Sequence, residues 1–215
     1  MIVFDKVCKT YESPYCEVLK DFSEHIRQGE FVCVTGESGS GKTTLLSMIL
    51  KETNPTGGTI SVYGKNIENL KKGDIPGYRS SIGMIFQDFR LIEDLNAYEN
   101  VRLAYMLAGG RKKDEVRRIT SVFSMLGINE LHKRLPSEMS GGQQQKVCLA
   151  RAIVNQPRLL LADEPTGNLD PKSSEEIYAL FRLINMQNIT IMMVTHDIEG
   201  IKAINNKRVI SLDKE

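Results

Sequence analysis

Phe31-Val32-Cys33-Val34-Thr35-Gly36-Glu37-Ser38-Gly39-Ser40-Gly41-Lys42-Thr43-Thr44 decides the fold. The first five residues are apolar and largely β-branched, the composition of a buried strand. The next six place glycine at 36, 39 and 41, and an apolar pattern of helical type then runs from Lys42 to Lys51. The spelling fits G-x-x-x-x-G-K-[ST]. Glycines let the backbone turn with its N–H groups facing inward, which makes a concave nest for an anion. A helix starting near Lys42 adds the positive end of its dipole. In such a nest Gly36, Glu37, Ser38, Gly39, Ser40, Gly41 and Thr44 line a polyphosphate, Lys42 reaches its outer groups, and the Thr43 hydroxyl ligates Mg²⁺. An ordinary glycine-rich turn would satisfy the same spelling, but the strand before and the helix after favour the phosphate-binding reading.

Outward from this loop, apolar runs recur at Ile2–Phe4, Thr59–Tyr63, Ile82–Phe86, Leu159–Ala162, Ile189–Val194 and Arg208–Leu212. Several are apolar almost throughout, as expected of parallel strands covered by helices on both faces. Helical patterns follow some of them, for example Ser173 to Asn185, so the chain reads as an α/β domain. Between about Leu91 and Asn155 helical periodicity dominates, with Val116, Ile119, Phe123 and Leu126 at helical spacing. That stretch reads as a helical lobe inserted into a core of residues 1–90 and 156–215, the whole forming a single domain over 1–215.

Composition is that of an ordinary globular protein: 41% hydrophobic, 26% charged, net charge +1. The absence of a basic excess argues against nucleic acid as a partner. No apolar run is long enough to cross a bilayer, and Met1 to Lys6 reads as a strand and not as a signal peptide. Any membrane role is then expected to be peripheral. Cys8, Cys16, Cys33 and Cys148 form no CxxC pair and no metal spacing, so reduced thiols are expected.

The run Leu159-Leu160-Leu161-Ala162-Asp163-Glu164 ends an apolar strand in two acids. A buried strand seldom closes this way unless a cation meets it. Asp163 is expected to hold Mg²⁺, and Glu164 to orient and deprotonate an attacking water.

Pro165-Thr166-Gly167-Asn168-Leu169-Asp170 follows Glu164, and Met139-Ser140-Gly141-Gly142-Gln143 precedes it. With His196 in Val194-Thr195-His196-Asp197 and Gln87 in Phe86-Gln87-Asp88, these resemble the motif set of ABC ATPases across essentially the whole chain. The resemblance implies a P-loop core with a mostly parallel sheet, an N-terminal antiparallel β subdomain and the inserted helical lobe. It implies ATP as ligand and substrate, hydrolysed with Mg²⁺ held by Thr43, Gln87 and Asp163. It places Tyr11 against adenine, Gln87 near the metal and the water, and His196 at the γ-phosphate; Lys42, Gln87, Glu164 and His196 form the catalytic set. Ser140, Gly141, Gly142 and Gln143 would cover ATP bound by a second copy, making a homodimer in which Asp170 lies in the crossing loop. Met139 and Lys146 depart from the usual leucine and arginine while keeping size or charge.

Within the superfamily, Thr166 to Asp170 resembles the lipoprotein-extraction, macrolide-export, antimicrobial-peptide-resistance and cell-division group. Ile82 to Leu91 most resembles its cell-division branch. That resemblance implies a separate integral membrane partner docking near 88–106, a cytoplasmic position on the inner face of a bacterial membrane, and control of peptidoglycan hydrolysis. An exporter or resistance motor with a transporter permease is the alternative.

Overall fold

A computed structural model describes residues 1–12 and 15–213. Its strands are β1 (Ile2–Glu12), β2 (Tyr15–Ile26), β3 (Phe31–Thr35), β4 (Gly57–Val62), β5 (Lys65–Asn66), β6 (Ile82–Ile85), β7 (Leu159–Asp163), β8 (Thr190–Val194) and β9 (Lys207–Ser211). Its α-helices are α1 (Lys42–Ile49), α2 (Ile75–Ser80), α3 (Ala97–Leu107), α4 (Glu115–Leu126), α5 (Gly141–Ile153), α6 (Pro171–Asn185) and α7 (Ile198–Ile201).

Two sheets form. The first, in order β6-β7-β8-β3-β9, is parallel at every pairing. All five residues of β3 and all five of β8 are buried. Alternate residues face opposite layers, as the twofold period of a strand requires. Phe31 and Cys33 join Ile191 and Met193 in a core roofed by α3 to α6. Val32 and Val34 join Met192 and Val194 in a second core with α1 and the other sheet. That second sheet, β2-β1-β4-β5, is antiparallel and begins at the N-terminus.

The helices between 97 and 153 share the first core with the parallel sheet, because α5 buries Val147, Leu149 and Ile153 there. Val116 departs from the expected apolar stripe of α4 and is 66% exposed. Glu115 takes the inward place in that first turn, where its Oε1 accepts from Arg102 Nε at 2.7 Å. Helix α6 starts at Pro171, two residues before the sequence pattern suggests, because Asp170 caps it and proline suits the first helical position.

Parallel register puts the carboxyl ends of β3, β6, β7 and β8 at one edge, with Val34 and Asp163 both beside Val194 and Ile85 beside Ala162. Gly36, Gln87, Glu164 and His196 therefore leave the sheet on the same side, where open α/β sheets bind ligands.

Candidate active site

The phosphate loop joins β3 to α1. Gly41, just before the helix, has φ 101°, and a Cβ there would lie 2.6 Å from Val18 Cγ1. Only glycine tolerates both the backbone and the neighbour. Lys42 is nearly buried, and its Nζ donates to the carbonyls of Gly36 (2.7 Å) and Glu37 (2.8 Å). The ammonium thus lies folded over the loop. The Glu37 N–H donates to Asp213 Oδ1 at 2.8 Å, while Ser211 Oγ donates to Asp213 Oδ2 at 2.8 Å. The Ser211 hydroxyl and then the Glu37 N–H hold the Asp213 carboxyl below its ordinary range. Asp213, which pins the loop to the end of β9, has no local sequence signature.

Thr43 Oγ1 donates to Asp163 Oδ1 at 3.3 Å, joining the start of α1 to the end of β7. Burial is the main cause that raises the Asp163 pKa; the Thr43 hydroxyl opposes it and the neighbouring Glu164 adds to it. A desolvated carboxylate beside a hydroxyl is a hard-oxygen pair suited to a divalent cation. Among the described residues no cluster of three or more His, Cys, Asp or Glu could hold a metal. Mg²⁺ takes one or two protein oxygens and completes its shell with phosphate oxygens and water.

Glu164 follows with φ 44°, a left-handed backbone rare for glutamate. Its N–H donates to Val194 O (2.9 Å) and its carbonyl accepts from the Gly167 N–H (3.1 Å), closing a tight turn. His196 approaches Glu164 Oε2 twice, through Nδ1 at 2.9 Å and through its backbone N–H at 3.2 Å. A neutral imidazole with its proton on Nδ1 makes the same contact as an imidazolium. The Glu164 side chain is 12% exposed and that of His196 69%, so the acid is sheltered and the histidine faces outward.

Gln87 lies on the other side of this turn. Its carbonyl accepts from Asn168 Nδ2 at 2.9 Å, and its amide nitrogen sits near Gly167. These contacts belong to Gly167 and Asn168, and among the described residues no hydrogen bond joins Gln87 to Thr43. Phe89 and Arg90 then take successive left-handed conformations, φ 57° and 50°. Helix α5 holds them there. Cys148 Sγ donates to Phe89 O (3.2 Å), and the Arg151 guanidinium forks onto the carbonyls of Phe89 and Arg90. Burial pushes the Cys148 thiol up to about 12, so it stays a protonated donor.

Ser140 caps α5: its Oγ accepts from the Gln143 N–H (3.3 Å), and Gln143 Oε1 accepts from the Ser140 N–H (3.0 Å). This reciprocal box satisfies the N–H groups of Ser140 and Gln143. The neighbours of Gly141 and Gly142 are Leu169 and Ser173, at the start of α6. Asp170 caps that helix, accepting from the Ser173 N–H at 3.0 Å. Among the described residues, no hydrogen bond or ion pair joins 140–143 to the phosphate loop. Tyr11 is 42% exposed on the β1–β2 hairpin, whose Val18 touches Gly41, and the Lys9 ammonium lies 4.8 Å from its ring centroid.

One edge of the sheet therefore assembles Lys42, Thr43, Asp163, Glu164 and His196, with Gln87 and Tyr11 flanking. The 140–143 helix start stands apart against α6. The sequence reading missed Asp213, Cys148 and Arg151, whose contacts all join distant parts of the chain.

The description of the ABC transporter family matches residues 19–167. The chain is 39% identical to the cell division ATP-binding protein FtsE of Streptococcus pneumoniae, over 96% of this chain and 89% of that one. It is 42% identical to FtsE of Escherichia coli, over 92% and 89%. A solved dimeric structure of the ATP-binding cassette MJ0796, in a post-hydrolysis state bound to ADP and Pi, superposes with a TM-score of 0.88 at 33% identity, covering 100% of this chain and 97% of that one.

Proposed function

This chain belongs to the ABC transporter family and is an ATP hydrolase, and we propose from that premise how it holds MgATP and what it drives. The β- and γ-phosphates of ATP take the N–H groups of Gly36 to Thr44. Lys42 exchanges its carbonyl partners for phosphate oxygens. Tyr11 stacks on adenine, an interaction worth about 1–3 kcal/mol for a base on an aromatic ring. Thr43, Asp163 and Gln87 hold Mg²⁺, which supplies charge neutralisation of the transferring phosphoryl group. Glu164 takes the proton of the attacking water. Both its bonds from His196 land on Oε2, which leaves Oε1 for that proton. His196, exposed beyond Glu164, reaches toward the γ-phosphate.

The observation that carries this reading is the Glu164–His196 pair beside Asp163–Thr43 at the mouth of the phosphate loop. Ser140, Gly141, Gly142 and Gln143 close the site from a second copy, since their own contacts lie with α6 and not with the loop. Asp170 belongs to that interface.

The power stroke goes to an integral membrane partner of the FtsX type, as in cell division, where it controls peptidoglycan hydrolysis. No described helix is long and apolar enough to cross a membrane. The groove lined by Arg79, Met84, Ala104, Leu107, Arg151 and Asn155, with Leu107 76% exposed, suits a short amphipathic helix on the partner's cytoplasmic side. It adjoins the segment 88–90 that α5 restrains. The chain then works at the cytoplasmic face of the membrane.

The test is Glu164→Gln, purified in mild detergent from native membranes with MgATP. Turnover is expected to fall by about 10²-fold or more with ATP binding retained, and a small membrane protein of about four spans, of the FtsX type, should copurify. Undiminished turnover would remove Glu164 from the mechanism. A permease in its place would mean an exporter or resistance motor.

A further inference from the structure

Tyr178 stands at the third turn of α6, 1% exposed. Phe181, three residues on, is fully buried on the same helix. A phenylalanine would thus meet the packing demand at 178 as well, and burying a hydroxyl costs free energy unless it is bonded. This one is bonded twice. Tyr178 Oη lies 2.9 Å from Thr166 Oγ1 and donates to Asp197 Oδ2 at 2.8 Å. A carboxylate only accepts, so the tyrosine proton goes to Asp197 and the Thr166 hydroxyl donates to the tyrosine oxygen.

The Asp197 end of this relay is anchored. Asp197 Oδ1 accepts from the Gly200 N–H (2.8 Å), and the Asp197 N–H donates to Thr195 Oγ1 (3.0 Å). The Thr195 N–H in turn donates to Val34 O in β3 (3.1 Å). Space is kept for the relay at Gly200, where a Cβ would fall 2.0 Å from Asp197 Oδ2 and 2.5 Å from Tyr178 Cε2. Thr166 lies two residues past Glu164, and Asp197 one past His196. The relay crosses from one turn to the other along the wall of one cleft, which Thr166, Tyr178 and Asp197 line together with Glu164, Gly167 and His196.

We infer that Tyr178 is a positioning residue for ATP hydrolysis: its hydroxyl, bonded between Thr166 and Asp197, fixes the separation of the turn carrying Glu164 from the turn carrying His196. The inference rests on the reading of Glu164 as the group that activates water. The 2.9 Å contact between His196 Nδ1 and Glu164 Oε2 depends on that separation, and small displacements of a catalytic group are amplified in rate.

The test compares Tyr178→Phe, Thr166→Val, the double variant and Glu164→Gln in the full chain with MgATP. Tyr178→Phe and Thr166→Val are each expected to lower kcat by about ten-fold, with the Kd for a fluorescent ATP analogue unchanged within about two-fold and cooperative unfolding preserved. The double variant should be no slower than Tyr178→Phe alone, because both break one relay. Thr166→Val carries the test if Tyr178→Phe does not fold. Unchanged kcat in the single variants, additive losses, or a fall in kcat matched by a fall in ATP affinity or Tm would overturn the inference and leave Tyr178 as core packing. Full turnover in Glu164→Gln would overturn the reading of Glu164 instead, whatever the tyrosine variants do.

Discussion

At the scale of single residues, Asp163 shows a site working against the fold that holds it. Its folded-state pKa is raised, chiefly by burial, so folding disfavours the charged form. The resulting penalty is absent below the ordinary Asp value of 3.8 and complete above the raised folded value. Asp163→Asn removes the charge while keeping the shape, and is expected to raise Tm without nucleotide. The same variant should lose the additional Tm rise that Mg²⁺ gives in the presence of ATP. Differential scanning fluorimetry with and without Mg²⁺ checks both; an unchanged or lower Tm without nucleotide would contradict the desolvation argument. Residues such as Lys42, Thr43, Asp163 and Glu164 were legible in the sequence because their chemistry sits in a contiguous spelling beside a strand. Tyr178 and Asp213 were not. A lone tyrosine on an apolar helical face reads as core, and an aspartate past the last strand reads as solvated, until the fold brings Asp197 and Glu37 to them.

At the scale of elements, legibility followed burial. Strands β3, β7 and β8 have apolar residues on both faces, so each is a continuous run that the eye finds easily. Strand β2 escaped that reading because its Tyr15–Ile26 span is half charged or polar and lies at a sheet edge. The bulges between β1 and its partners break the alternation as well. Helix starts depended on caps more than on periodicity, as Asp170 illustrates. The Ser173 hydroxyl, then its N–H, holds the Asp170 carboxyl below its ordinary range. A lowered folded pKa contributes stability that is complete above the unfolded value of 3.8 and is lost as pH falls through the folded value. Asp170→Ala should therefore unfold at lower urea than the parent at pH 7. The gap between their midpoints should narrow once pH drops below about 3.8, and a gap that does not change between pH 7 and pH 3 would rule out the charged cap.

At the scale of the whole molecule, two anion-ready helix starts belong to different parts of one chain. The start of α1 closes the phosphate loop, and the start of α5 is packed against α6. If a second copy brings them together across bound ATP, as proposed above, assembly should require nucleotide. Light scattering of Glu164→Gln should give the mass of a monomer, about 24.2 kDa, without nucleotide and twice that with MgATP. Ser140→Ala in the same background should shift the equilibrium back toward monomer, since it loosens the cap that orients the 140–143 N–H groups. A monomer at high protein concentration with MgATP, and with the membrane partner supplied, would exclude the dimer.

The left-handed backbone of Glu164 has a historical consequence. Glycine occupies that conformation without cost, whereas a glutamate is strained there by about 1 kcal/mol. A lineage released from the need to split ATP would therefore drift toward glycine or asparagine at 164 and become sturdier as it did so. Return would run uphill against the backbone. On the reading of Glu164 as the group that activates water, selection for hydrolysis has to be continuous for this residue to persist, and among descendants of such a chain, loss of the carboxylate should be common and its recovery rare.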